Sequence, residues 1–139
     1  MRFAAISLCL VTLLASPALA REPGPDLEAK VVRVVDGDTI KVKLMGRMPR
    51  FFRAQSVRLR HCDAPELHDK RPEIAAKAQQ AKAFVAGRVA PGMHLTLRDV
   101  GREKYGRLLA DVDVHGENLC RALLDAGLAM PYEGGKRSW

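Results

Sequence analysis

Three short segments carry residue types that handle phosphates and divalent cations. Asp36-Gly37-Asp38-Thr39 sets two carboxylates on a tight turn, and carboxylates held on turns are suitable oxygen ligands for a hard cation. Asp and Gly are also ordinary turn formers, so this segment alone leaves a purely structural reading open. Arg58-x-Arg60-x-x-Asp63-Ala64-Pro65-Glu66 gathers a basic fork, a further carboxylate and a candidate general base within nine residues. A guanidinium grips a phosphate through two parallel hydrogen bonds. A carboxylate such as Glu66, placed beside a water, can take its proton. Read one by one, the same charges make a salt-bridged loop. Lys104-Tyr105-Gly106-Arg107 brings another arginine to the point where a turn enters a strand. The other candidates carry less. His61, His68, His94 and His115 have neither HExxH nor Cys/His zinc spacing, and read as solvated or hydrogen-bonded side chains. Lys70 and Arg71 read as a solvated loop, and Phe51, Phe52 and Phe84 as core.

The elements that must position these groups follow from hydrophobic period and turn chemistry. Residues 29–35 are β-branched and read as a strand, and Asp36-Gly37-Asp38 supplies a hairpin turn. In residues 39–44, Ile40, Val42 and Leu44 alternate with Lys41 and Lys43, the pattern of a half-buried strand. Residues 46–49 form a second turn, and a third strand is expected over residues 51–59 with a bulge near Ala54-Gln55. A polar loop over 61–71 leads to Pro72 and Glu73, which suit a helix N-terminus. The Ala-rich stretch 74–89 then sets Ile74, Ala78, Ala81 and Val85 on one helical face, and Pro91-Gly92 ends it. Residues 94–100 and 108–114 read as two more strands joined by a charged turn. Asn118 caps a second helix that runs through Ala126 and stops at Gly127, with Leu119, Leu123 and Leu124 as its core face. The expected fold class is α+β, mainly β. Five strands with a helix between strands 3 and 4, and a second helix after strand 5, follow the order of an OB-fold barrel; a mixed α+β sandwich fits the same order.

Composition and the chain ends bound the compartment. Arg2, the apolar run 3–14 and the small-x-small triplet Ala18-Leu19-Ala20 read as a secretory signal peptide over residues 1–20. A retained N-terminal anchor is the alternative, but the run is shorter than the roughly 20 residues that a bilayer span needs. Cleavage after Ala20 leaves a leader (21–27), one domain (28–132) and a short tail (133–139). The mature protein is expected to be periplasmic or secreted, without stable membrane association, and monomeric. The whole chain carries 23 Lys and Arg against 16 Asp and Glu, a net charge of +7, which favours polyanions by attraction and counterion release. Cys62 and Cys120 remain after cleavage. An even count in an oxidising compartment permits one disulfide, with two separate buried thiols as the alternative.

Taken in order, the segments resemble the staphylococcal-nuclease (thermonuclease-like) family. The matching pieces are Val35-Asp36-Gly37-Asp38-Thr39, Val57-Arg58-Leu59, Asp63-Ala64-Pro65-Glu66, Glu103-Lys104-Tyr105-Gly106-Arg107 and Gly127-Leu128-Ala129, within roughly residues 28–132. The resemblance implies an OB barrel that hydrolyses DNA and RNA with Ca²⁺ and leaves 3′-phosphate ends. It further implies Asp38, Asp63 and the carbonyl of Ala64 as metal ligands, with Asp36 just outside them. Arg58 and Arg107 would hold the scissile phosphate, Glu66 would be the general base, and Lys104 and Tyr105 would touch a neighbouring phosphate. Tyr132 is the nearest substitute for the aromatic that covers the base. The sequence departs from the type enzyme in Ala64, which replaces a threonine, in a shorter loop after Glu66 and in lacking the long C-terminal helix. An OB module that binds nucleic acid without cutting it is the rival reading. Loss of a carboxylate, an arginine or the glutamate would mark it, and all five groups are present here.

Overall fold

The computed structural model describes residues 21–137 and 139. The expected signal peptide, including Cys9 and the Ala20 cleavage point, lies outside the described residues. Strands β1 (Leu27–Val34), β2 (Thr39–Leu44) and β3 (Ala54–Leu59) form an antiparallel meander, with a short helix α1 (Arg50–Arg53) before β3. A two-residue strand β4 (Cys62–Asp63) precedes helix α2 (Pro72–Ala86). Strands β5 (His94–Arg102), β6 (Leu108–Val114) and β7 (Glu117–Asn118), helix α3 (Leu119–Asp125) and strand β8 (Met130–Pro131) complete the chain. The sheet order is β3-β2-β1-β5-β6-β7. A parallel pairing of β3 with β6, Val57↔Leu108 through Leu59↔Ala110, closes the first five strands into a barrel. This is the expected OB-type order, with one helix between the third and fourth barrel strands and another after the fifth.

Alternation fills the barrel. Along β6 every second residue from Leu108 to Val114 is buried, as the period-2 pleat requires. Ile40, Val42, Val57, Leu59, Leu97 and Val112 meet inside, and α2 and α3 seal the barrel with Val85, Leu119 and Leu123. Each such Val, Leu or Ile contributes roughly 1.5–3 kcal/mol by leaving water. The Asn118 side chain accepts the backbone N–H of Arg121, giving α3 its predicted cap.

Three expectations change. The third strand begins at Ala54, because residues 50–53 turn into α1 behind Pro49. Phe51 and Phe52 are therefore not core: they keep 77% and 49% of their surface exposed, and their rings lean on each other at 4.4 Å. The β2–β3 register runs unbroken from Thr39↔Arg58 to Lys43↔Ala54. The bulges lie instead at Val31/Arg33 in β1 and at Arg98/Gly101 in β5. At the second of these, Asp99 adopts the left-handed region (φ 48°). It binds the start of the described chain, taking Arg21 Nη1 at 2.9 Å and the N–H of Gly24, while Val100 N donates to the carbonyl of Pro25 at 2.9 Å.

Candidate active site

The β1–β2 turn is built to present Asp38. The Asp36 side chain accepts the N–H of Asp38 at 3.0 Å, which tightens the turn. Gly37 lies against α2: a Cβ there would come within 2.6 Å of the Ala81 Cβ and 2.8 Å of the Ala64 Cβ, so this position requires glycine. Asp38 is buried, with one carboxylate oxygen accepting Thr39 Oγ1 at 3.0 Å and the other accepting the N–H of Ala64 at 2.9 Å. The backbone completes the junction, Leu59 N donating to the carbonyl of Asp38 at 2.8 Å.

Arg58 stands opposite Thr39 at the end of β3, so its side chain reaches the same corner. Its Nη2 donates to Asp63 Oδ1 at 2.5 Å, and its Nη1 lies 3.3 Å from Asp38 Oδ2. Burial works to lower the arginine's pKa, but the charges of Asp38 and then Asp63 outweigh it and hold the guanidinium protonated. Asp38 moves the other way. Burial raises its pKa, opposed by the charge of Arg58 and helped by that of Asp36. The two directions agree physically, because one guanidinium serves two carboxylates and its shorter bond goes to Asp63. The second oxygen of Asp63, Oδ2, is buried with no hydrogen-bond partner. A buried, unpaired carboxylate oxygen is costly, and a cation is the partner that its chemistry calls for. Asp38 and Asp63 therefore fit a hard divalent ion, with water or backbone oxygens making up the remaining ligands. Among the described residues, no group of three or more His, Cys, Asp or Glu converges as a metal cage.

Glu66 follows the buried Pro65 and points outward, its side chain 68% exposed. Arg107 leaves the β5–β6 hairpin beside Gly106 (φ 84°) and pairs with Glu103. Asp36, Asp38, Arg58, Ala64, Glu66 and Arg107 all line one cleft of ≈ 610 Å³. Lys104, Tyr105 and Tyr132 line an adjoining cleft of ≈ 440 Å³, together with Arg58, Glu66 and Arg107. Tyr105 is 74% exposed at the hairpin tip, and the Arg58 guanidinium sits 5.5 Å from the centre of the Tyr132 ring. His61 pairs with Glu133, and Arg71 with Asp69; none of these four lines either cleft.

Two residues escaped the sequence reading. Strand β8 pairs with β4 (Cys62↔Pro131, Asp63↔Met130), and the segment beyond it folds back over the carboxylates. Arg137 pairs with Glu66 and lies 3.4 Å from Asp63 Oδ1. The Trp139 indole N–H donates to the carbonyl of Asp63 at 2.8 Å, and the Lys77 ammonium sits 5.1 Å from its ring centre. No local periodicity announces this return; the only sequence signal is a basic and aromatic pair after a Gly-Gly turn. Cys62, next to Asp63 in β4, and Cys120, in α3, are buried free thiols. The neighbouring Cys120 thiol, with burial, pushes the Cys62 thiol up.

Residues 56–138 match a family described as staphylococcal nuclease homologue. The chain is similar to protein ParB of Escherichia coli, 34% identical over 131 residues that cover 88% of this chain and 64% of that protein. It is also similar to an uncharacterized endonuclease of Escherichia coli O157:H7, 34% identical over 109 residues, 78% of this chain and 63% of the relative. The SPbeta prophage-derived endonuclease YokF of Bacillus subtilis (strain 168) is 36% identical over 99 residues, 70% of this chain and 31% of the relative. The chain thus spans a little under two thirds of the length of the first two.

Proposed function

The chain belongs to the staphylococcal nuclease homologue family, and from that premise we propose that it is a Ca²⁺-dependent nuclease that hydrolyses phosphodiester bonds of DNA and RNA. The observation that carries this reading is the single cleft lined by Arg58, Arg107 and Glu66 beside the buried carboxylate of Asp38. Two guanidinium groups grip a phosphate and neutralise the charge that grows on its oxygens as the bond order changes. Glu66, exposed on the cleft wall, orients a water and accepts its proton. Leaving-group departure from the 5′ side would give 3′-phosphate ends. Asp38 and Asp63 would hold the divalent ion, with the carbonyl of Ala64 as a further ligand and Asp36 outside it. When bound, the ion supplies Lewis-acid stabilisation of the phosphate. Lys104, Tyr105 and Tyr132 would receive the neighbouring nucleotide.

The test is digestion of DNA and of RNA by purified protein, with Ca²⁺ and with chelator, followed by analysis of the new ends. Cleavage only with the ion, leaving 3′-phosphates, is expected. Binding of nucleic acid without cleavage in either condition would return the reading to a non-catalytic module. We also propose export, on the Arg2, apolar-run and Ala18-Leu19-Ala20 pattern. Expression of the full chain in an exporting bacterium should yield a protein that starts at Arg21; retention of residues 1–20 would overturn it.

A further inference from the structure

The outer face of the β1–β2–β3 meander carries charge with no counterpart. From Thr39 to Val57 the chain holds five Lys and Arg (Lys41, Lys43, Arg47, Arg50 and Arg53) and no Asp or Glu. The register places like charges directly across from each other, Lys30↔Lys43 and Arg33↔Lys41. Facing like charges destabilise an antiparallel pair, so the fold gains nothing from this arrangement. Among the described residues, none of Lys30, Arg33, Lys41, Lys43, Arg47 and Arg50 makes a salt bridge. The one carboxylate on β1, Glu28, is turned to Thr96 of β5, accepting its hydroxyl at 2.8 Å. The exposed apolar side chains gather on the same side. Of five large ones among the described residues, four are Val32 on β1, Met45 just after β2, and Phe51 and Phe52 on α1.

This face is continuous with the cleft. Residues 54, 56 and 58 of β3 share one side of the strand, opposite Lys43, Lys41 and Thr39. Arg58 is thus the innermost member of a row that runs outward through Lys41 and Lys43 to α1. The four-residue step from Arg58 to Ala54 spans about 14 Å, close to the length of four stacked nucleotides. We propose, resting on the nuclease reading, that this face and α1 form a second binding surface for single-stranded nucleic acid leaving the cleft. Phosphates lie along Lys30, Arg33, Lys41 and Lys43, and unpaired bases stack on Phe51 and Phe52. A single strand is the occupant because stacking on exposed rings needs bases free of a partner.

The experiment pairs binding with cleavage. A labelled single-stranded oligonucleotide of about twenty nucleotides is titrated in chelator, so that no strand is cut, against the parent, Lys30→Gln/Lys43→Gln and Phe51→Ala/Phe52→Ala. These side chains are exposed, and thermal melts should match the parent for the phenylalanine variant and match or slightly exceed it for the lysine variant, which relieves a facing like-charge pair. The lysine variant should lower the slope of log affinity against log salt by about 1.4, at about 0.7 for each phosphate no longer neutralised. The phenylalanine variant should bind about ten-fold or more weakly at unchanged slope. With Ca²⁺, both variants should lose kcat/KM on the long strand and keep the parent's rate on a dinucleotide. Parent-like binding and long-strand cleavage by both variants would overturn the surface. So would phenylalanine-dependent binding to vesicles of phosphatidylserine and phosphatidylcholine with no effect on the oligonucleotide. Failure of the nuclease reading looks different: the parent then cuts neither substrate, whatever the binding titrations give.

Discussion

Replacing Arg58 with Met tests whether the carboxylates beneath the cleft depend on one counterion. The Arg58 side chain keeps 4% of its exposure, against 6% for Asp38 and 2% for Asp63. At an effective dielectric of about 20, a charge pair near 4 Å is worth about 4 kcal/mol, so two pairs contribute about 8 kcal/mol before desolvation. Burying the guanidinium costs several kcal/mol. The net of about 3–5 kcal/mol agrees with the usual cost of breaking a buried pair. It is a large part of the roughly 5–15 kcal/mol that holds a domain folded. With a urea m-value of about 2 kcal/mol/M, the Arg58→Met midpoint at pH 7 in chelator should fall by about 1.5–2.5 M. Removing one carboxylate as well, in Arg58→Met/Asp63→Asn, should recover part of that loss, because the two side chains touch and their effects do not add. A single variant within about 1 kcal/mol of the parent, or a double variant whose cost equals the sum of the singles, would refute the counterion argument.

Glu66→Gln should leave folding unchanged, since the side chain is largely exposed, and cut single-turnover cleavage by about 10²–10⁴-fold with near-parent binding; cleavage at the parent rate removes Glu66 as the base. In protein recovered from an oxidising compartment, Cys62 and Cys120 should be bridged, because both are buried in one core cluster, and the bridge should add about 2–4 kcal/mol. Thiol titration of the unfolded, unreduced protein then finds no free cysteine, and two free thiols would sink the bridge. Asp99 is held down to about 2 by the Arg21 side chain, the Gly24 N–H and Arg60. A depressed carboxylate stabilises above its ordinary value near 3.9 and loses that contribution as pH falls towards 2. NMR titration of the Asp99 carboxyl should show a midpoint near 2, and a midpoint near 4 would mean that the leader is not held there.

The barrel was legible where one local pattern decided the outcome. Strand β6 alternates without interruption, Pro72 and Glu73 announce α2, and Asn118 caps α3. The three motif segments also meet in one cleft. What escaped rests on pairings between distant residues or on very short elements. Phe51 and Phe52 favour strands by type, and a four-residue helix at a hairpin tip has too few residues for either period to show. The β4–β8 pair joins residues about seventy apart through two-residue strands, one ending in a proline. Its consequence, the return of Arg137 and Trp139 to Asp63 and Glu66, has no local signature.

The parallel seam between β3 and β6 also fixes when the cleft can come into being. Arg107 directly precedes Leu108, which pairs with Val57, so the two guanidinium groups become neighbours only when this seam closes. Helix α2 needs no such pairing and can form early from its own sequence, whereas non-local strand pairings are slow. During refolding, the helical signal should therefore lead and cleavage should return later, timed by the seam. On the nuclease reading proposed above, the return of cleavage would report the closing of that seam.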